Sequence, residues 1–278
     1  MPVRVVESKD NARLKELRKA LAAAGRSAQG HAGIEGRHLL EEALRAGLRV
    51  ATIFVAQGAE KLLDNLPVSP ETEILRLPAK VLASTLATET AQLIAALIEP
   101  PEWTWEHLFG LRRNATPLVL VLAGLQDPGN LGTILRSAEA FGATGVVCLP
   151  GTVSAWNPKA VRASAGSVFR VPLIAAEVEE CIPRLHKAEA TIFATLPGRA
   201  PQAQSINLAR PVAFLIGNEG NGVPGSLIAR ADAMITIPCP GPVESLNAAV
   251  AASVLLYEAA RQRATGSGGR ADHRGARR

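Results

Sequence analysis

The chain has 278 residues, of which 47% are hydrophobic, 20% charged and only 4% aromatic, so it is long enough for one large or two ordinary domains with an aliphatic core. Its three cysteines, Cys148, Cys181 and Cys239, are odd in number and far apart, which excludes a disulfide framework and a cysteine metal site, and fits buried free thiols in a reducing cytoplasm. The net charge of +5 sits in residues 261–278, with six Arg and one Asp, while the preceding residues are formally neutral; basic balance alone is therefore no argument for a nucleic-acid partner.

The N-terminus has no apolar stretch of signal-peptide type, and runs such as residues 118–125 fall far short of the ~20 apolar residues of a membrane helix. A soluble, cytoplasmic protein without a membrane partner is expected. Residues 10–21 read as a capped amphipathic helix, with Leu14, Leu17 and Leu21 on one face. A loop is expected from Gly25 to Gly33, then a helix stopped by Gly47. Residues 50–56 read as a strand, 62–66 as helical, 74–77 as a strand, 79–86 as a short helix and 90–98 as a closing apolar segment. Together, residues 1–100 form a small α/β domain. Pro100-Pro101 breaks the pattern, and residues 101–117, with Trp103 and Trp105, read as a linker packed on a neighbour.

From Leu118 the pattern becomes regular. Strands are expected at residues 118–124, 145–150, 190–196, 211–217 and 233–238, with helices starting near Asn130, Pro158, Glu177, Pro224 and Ser245. Continuous Val/Ile/Leu runs mean strands buried on both faces, hence a parallel sheet covered by helices over residues 118–263. Residues 264–278 are Gly- and Arg-rich without apolar periodicity and are expected to be a disordered basic tail.

Polar blocks stand where three of these strands stop. The first, residues 125–132, follows a strand and opens a helix; Pro128, Gly129 and Gly132 imply a sharp turn there, with Asn130 at the helix start and Arg136 six residues on. The second, residues 217–220, is Gly-rich, which lets a ligand approach the backbone, and its Glu219 calls for a partner such as Arg136. The third runs strand, Pro/Gly loop, helix; Ser245 or Glu244 can cap that helix, whereas Asn247 inside the first turn is a poor helix former whose presence a function would explain. Between the blocks, Lys159 and Arg162 share a helix face and, with Ser164 and Ser167, offer a phosphate-facing surface or a solvated basic face. The small-residue run 249–254 reads as a helix packed tightly on another surface, such as a second subunit.

The segments LQDPGNLGTILRSAEAFGATGV, FLIGNEGNGV and IPCPGPVESLNAAVAASVLLYE, in this order and spacing, resemble the three motifs of the SpoU (TrmH-like) RNA ribose 2′-O-methyltransferases of the SPOUT class. NPKAVRASAGSVFRVPL matches the region between motifs one and two, and the N-terminal SKDNARLKELRKAL and GIEGRHLLEEAL resemble the small α/β RNA-binding module found in many members. The resemblance implies a C-terminal parallel-sheet α/β domain knotted as a trefoil, a homodimer, and S-adenosylmethionine as cofactor. By position it implies that Gly217, Ile237 and Leu246, with Thr195 and Leu196 nearby, hold the cofactor. Asn130, Arg136, Glu219, Ser245 and Asn247 become the catalytic and substrate-positioning set, and Lys159 and Arg162 contact RNA. Ribosomal RNA is favoured over transfer RNA by the N-terminal module. A non-catalytic RNA-binding protein would not need Asn130, Arg136 and Asn247 together, and DPGNLG does not fit the dinucleotide fingerprint of an oxidoreductase.

Overall fold

The computed structural model describes residues 2–86, 92–110, 115–198 and 200–267. The expected tail beyond residue 267, and the start of the apolar segment at residue 90, lie outside the described residues. The chain divides into two compact units. The first holds residues 1–102 together with 127–136 and 153–170; the second holds residues 103–126, 137–152 and 171–278.

In the first unit, strands β1 (Val3–Val5), β2 (Ala32–Glu35), β3 (Val50–Ala56), β4 (Glu73–Leu77) and β5 (Ile94–Ile98) form a sheet in the order β1-β4-β3-β5-β2. β4 runs parallel to β1 and β3, and β5 runs antiparallel to β3 and β2. Helix α1 (Ala12–Ala20) starts where the Asn11 side chain accepts from the amides of Arg13 and Leu14, the usual way an Asn satisfies the free donors of a first turn. Its Leu14 and Leu17 pack with Phe54, Leu75 and Leu97 of the sheet. Helices α2 (Arg37–Arg45) and α3 (Ala79–Ala83) complete the N-terminal segment.

Two expectations there need correction. Residues 32–35 form a strand, fully buried, although they read as loop and helix entry; with Gly33 and an acid in four residues, β2 has too little β-branched character to show itself. Residues 62–66 are not an α-helix: a short 3-10 turn covers Glu60–Leu63.

The second unit contains α4 (Trp105–Leu108), β6 (Leu118–Leu122), β7 (Gly145–Cys148), β8 (Leu173–Ala175), α7 (Val178–Lys187), β9 (Thr191–Thr195), β10 (Val212–Ile216), α8 (Gly225–Ile228), β11 (Ala233–Ile235) and α9 (Ala248–Ser267). α5 (Pro128–Ala140) begins in the residues grouped with the first unit, which also hold α6 (Pro158–Ser164). The six strands of the second sheet are all parallel, in the order β11-β9-β10-β6-β7-β8. β8 was not expected from the sequence; its three apolar residues make too short a run to stand out, and they are half-buried or exposed. Val119, Val121, Ala213 and Leu215 of the central strands form a core with Cys181 and Leu185 of α7.

The expected linker is partly structured. Trp105 stacks on Phe109 at 5.7 Å between ring centroids and donates its indole N–H to Glu180 at 2.9 Å. At the other end, α9 runs to Ser267, four residues into the expected tail. Its Arg263 donates to the carbonyls of Leu208, Thr116, Pro117 and Arg210 at 2.8–3.1 Å, so the helix end is fixed by a contact that sequence periodicity does not register.

Candidate active site

The second sheet has a topological switch. From β6 the chain moves outward through β7 and β8, then returns on the other side to β9, β10 and β11. In open parallel sheets the crevice outside the carboxyl ends of the strands at such a point is where ligands bind. Here the carboxyl ends of β6 and β10 flank it, and the first and second polar blocks grow out of them.

The turn after β10 is closed on itself. The amide of Asn218 donates to the Gly222 carbonyl at 3.0 Å and the Gly222 amide returns a bond to Asn218 at 2.9 Å. The Asn218 side chain accepts from the amides of Gly220 and Asn221, and its amide nitrogen donates to the Gly124 carbonyl at 2.9 Å. That last bond ties the β10 turn to the turn after β6. Sequence reasoning gave Asn218 no role; an Asn two residues before a Gly is an Asx-turn signal that would have found it. Gly217 has no left-handed backbone. A Cβ there would lie 2.0 Å from the carbonyl carbon of Gly222, so the glycine is demanded by its own turn. Glu219 is exposed, and its carboxylate accepts from the Gln126 amide at 3.3 Å.

In the first block only residues 125–127 stay outside the helix, which starts two residues ahead of the expected Asn130. α5 begins at Pro128, and Asp127 caps it by accepting the Gly129 amide at 2.7 Å. Asn130 therefore lies in the first helical turn. At about 100° per residue, six residues set Asn130 and Arg136 about 120° apart around the axis, so the helix does not itself stack them. Arg136 is exposed. Gly132 is inside the helix for close packing: a Cβ would meet the Ala160 carbonyl and the Ala163 Cβ, both at 2.5 Å.

α6 carries Lys159 and Arg162, both exposed, and is capped by Asn157, which accepts from the Lys159 amide at 2.9 Å. Ser164 and Ser167 do not join them as a phosphate-facing surface. Both are buried, and Ser164 spends its hydroxyl on the Val161 carbonyl at 2.8 Å.

In the third block, Asn247 is the cap of α9, accepting from the amides of Ala249 and Val250 at 2.9 and 3.2 Å. Capping accounts for an Asn at this place without appeal to function, and neither Ser245 nor Glu244 fills that role. Ser245 is exposed and Leu246 half-buried just ahead of the helix. The remaining expected cofactor residues gather at one edge. Thr195 ends β9, Gly217 follows β10, and Ile237 follows β11, on three strands that are neighbours in the sheet. The Leu196 amide donates to the Ile235 carbonyl at 3.0 Å, and the buried Thr195 hydroxyl oxygen finds no hydrogen-bond partner among the described residues. Of the thiols, Cys148 and Cys181 are buried as expected, whereas Cys239 is only half-buried. No group of three or more His, Cys, Asp or Glu able to hold a metal occurs among the described residues, and among them no helix is long and apolar enough to cross a membrane.

Residues 117–257 match the model of the SpoU rRNA methylase family. The chain belongs to the SpoU rRNA methylase family. It is thus a methyltransferase, and residues 11–96 match an MRM3-like substrate-binding domain. Over 254 residues it is 34% identical to the 23S rRNA (guanosine(2553)-2′-O)-methyltransferase RlmP of Bacillus subtilis, covering 91% of this chain and 97% of that one. The SpoU methyltransferase AviRb of Streptomyces viridochromogenes, solved with AdoMet, superposes with a TM-score of 0.80 at 26% identity, over 92% of this chain and 99% of that one. An AdoMet-bound rRNA methyltransferase from Sinorhizobium meliloti does so at 0.80 and 29%, over 93% and 98%.

Proposed function

We propose that this methylase transfers the methyl group of S-adenosylmethionine to a ribose 2′-hydroxyl of ribosomal RNA in the cytoplasm. The observation that carries the reading is the edge formed by the carboxyl ends of β9, β10 and β11, where Thr195, Leu196, Gly217 and Ile237 assemble beside an unspent, buried Thr195 hydroxyl. An adenosyl group needs backbone partners, apolar walls and a hydroxyl or amide to fix it. This edge offers each, with half-buried Leu196 and Ile237 as walls, so the residues fit the cofactor. Leu246 closes the site from the third block. The likeness to the B. subtilis enzyme and the substrate-binding match over residues 11–96 favour ribosomal over transfer RNA.

S-adenosylmethionine supplies an activated methyl group, so the protein's share of the reaction is placement and charge. Arg136 grips the phosphate beside the reacting ribose through its planar fork of donors and stabilises negative charge that develops as the hydroxyl loses its proton. A guanidinium keeps its proton in proteins and does not serve as the base itself; the phosphate or a water takes the proton. Asn130 and Glu219 orient the substrate-facing groups, and Ser245 and Asn247 hold the third block and the RNA. Lys159 and Arg162 bind the RNA backbone. The family resemblance further implies a trefoil knot in the methylase domain. Val250, Val254 and Tyr257, exposed at one-turn intervals along α9, suit the face of a homodimer.

The test is a map of 2′-O-methyl positions in total RNA from cells carrying the wild-type gene, Arg136→Ala or a deletion. One ribosomal position should be methylated in the wild type alone, while Arg136→Ala binds S-adenosylmethionine with near wild-type affinity. A lost mark in transfer RNA would move the target, and identical maps in all strains would overturn the reading.

A further inference from the structure

We propose that Arg26 is an RNA-contacting residue, and that it joins Lys159 and Arg162 in one phosphate-binding surface that starts in the substrate-binding module. The proposal rests on the RNA reading above and deepens it.

All of the geometry lies within the first compact unit. The loop after α1 folds directly onto the segment that leads into α6. Gly25 holds φ at +73°, and a Cβ there would lie 2.0 Å from the Trp156 carbonyl oxygen, so backbone meets backbone and only glycine fits. The Asn157 side chain donates to the Ala23 carbonyl at 3.2 Å and accepts from the Lys159 amide at 2.9 Å. One side chain thus fastens the Arg26 loop to the helix that carries Lys159 and Arg162.

Arg26 lies over the Trp156 ring, its guanidinium carbon 5.5 Å from the ring centroid. Trp156 is buried and stacks in turn on Phe169 at 6.2 Å and 22°. The guanidinium therefore rests on a rigid platform. A cation stacked in this way keeps the rim of the fork, where its N–H donors point, open to a ligand. Arg26 remains exposed, and partial burial lowers its pKa below the usual arginine value, the mark of a charge not offset by a nearby carboxylate. Among the described residues, Arg26, Lys159 and Arg162 form no ion pair, whereas Arg13, Arg37, Arg45, Arg49 and Arg170 of the same unit each meet a carboxylate at 2.7–2.9 Å. Arg18 and Arg136 of this unit also form no ion pair among the described residues, but of its described arginines only Arg26 lies over an aromatic ring. A prepositioned, unpaired guanidinium tied to two other unpaired cations matches the planar, anionic backbone of RNA.

The experiment compares full-length wild-type protein, Arg26→Gln and Lys159→Gln for binding to purified 23S ribosomal RNA between 50 and 200 mM salt. Cofactor calorimetry and thermal unfolding are run on each. Arg26→Gln should weaken RNA binding by about fivefold and lower the slope of log K against log salt by ~0.7–0.9, the share of one phosphate contact. S-adenosylmethionine affinity and the unfolding temperature should stay unchanged. An unchanged salt slope in Arg26→Gln, with Lys159→Gln weakened, overturns the proposal for Arg26 alone; a fall in unfolding temperature alongside it would make Arg26 a packing pin. If the wild type itself binds the RNA no better than a neutral control protein does, the RNA reading falls instead.

Discussion

Replacing Gly217 by alanine tests the cofactor edge at its tightest point. The new methyl carbon would stand 2.0 Å from the Gly222 carbonyl carbon, 2.2 Å from the Val223 nitrogen and 2.3 Å from the Gly222 oxygen. Ordinary contact begins at 3.4 Å, so the turn must open by about 1.4 Å, and every clashing atom is backbone that cannot rotate away. That movement breaks the paired Asn218–Gly222 bonds and strains the Asn218 bond to Gly124. At ~0.5–1.5 kcal/mol for each hydrogen bond, the loss is about 1–4 kcal/mol. It falls on a turn that leaves β10 beside the ends of β6 and β9. S-adenosylmethionine affinity, read by calorimetry, should drop at least tenfold, equivalent to about 1.4 kcal/mol, with methylation falling in parallel. A wild-type dissociation constant in Gly217→Ala would show that the closed turn is no part of the cofactor site. A drop in stability with unchanged affinity would refute the reasoning in the same way.

Arg263→Ala removes a guanidinium that satisfies four backbone carbonyls and should destabilise the protein by about 2–4 kcal/mol; a change under ~1 kcal/mol in urea unfolding would show that water replaces the clasp. Burial pushes the Cys148 and Cys181 thiols up to about 12, Glu180 adding to the effect at Cys181. These thiols stay neutral in the native state after unfolded thiols ionise, so stability is complete below the unfolded pKa near 9 and declines as pH rises from there toward 12. At pH 8 iodoacetamide should modify Cys239 and spare the other two, and native-state labelling of Cys148 in a peptide map would contradict the burial. Val254→Asp places a charge in the middle of the exposed α9 stripe and should yield a monomer by sedimentation; an unaltered dimer would put the subunit contact elsewhere.

Much of this protein is written in local pattern. The buried runs at residues 118–122 and 212–216 announced a parallel sheet, because strands covered on both faces need apolar residues at every position. The polar blocks marked strand ends for the converse reason. What local pattern could not show was why particular residues stand where they do. Asn247 read as functional because a helix interior disfavours it, yet its place one residue earlier makes it a cap. Gly132 and Gly217 read as turn or ligand glycines, whereas one admits a neighbouring helix and the other its own turn, both questions of distance between segments far apart in sequence or folded back on themselves. The grouping of residues 127–136 and 153–170 with the N-terminal module, and the stacking of Arg26 on Trp156, depend on contacts across more than a hundred residues. Periodicity reports which face of an element is buried; only the tertiary structure decides what it is buried against.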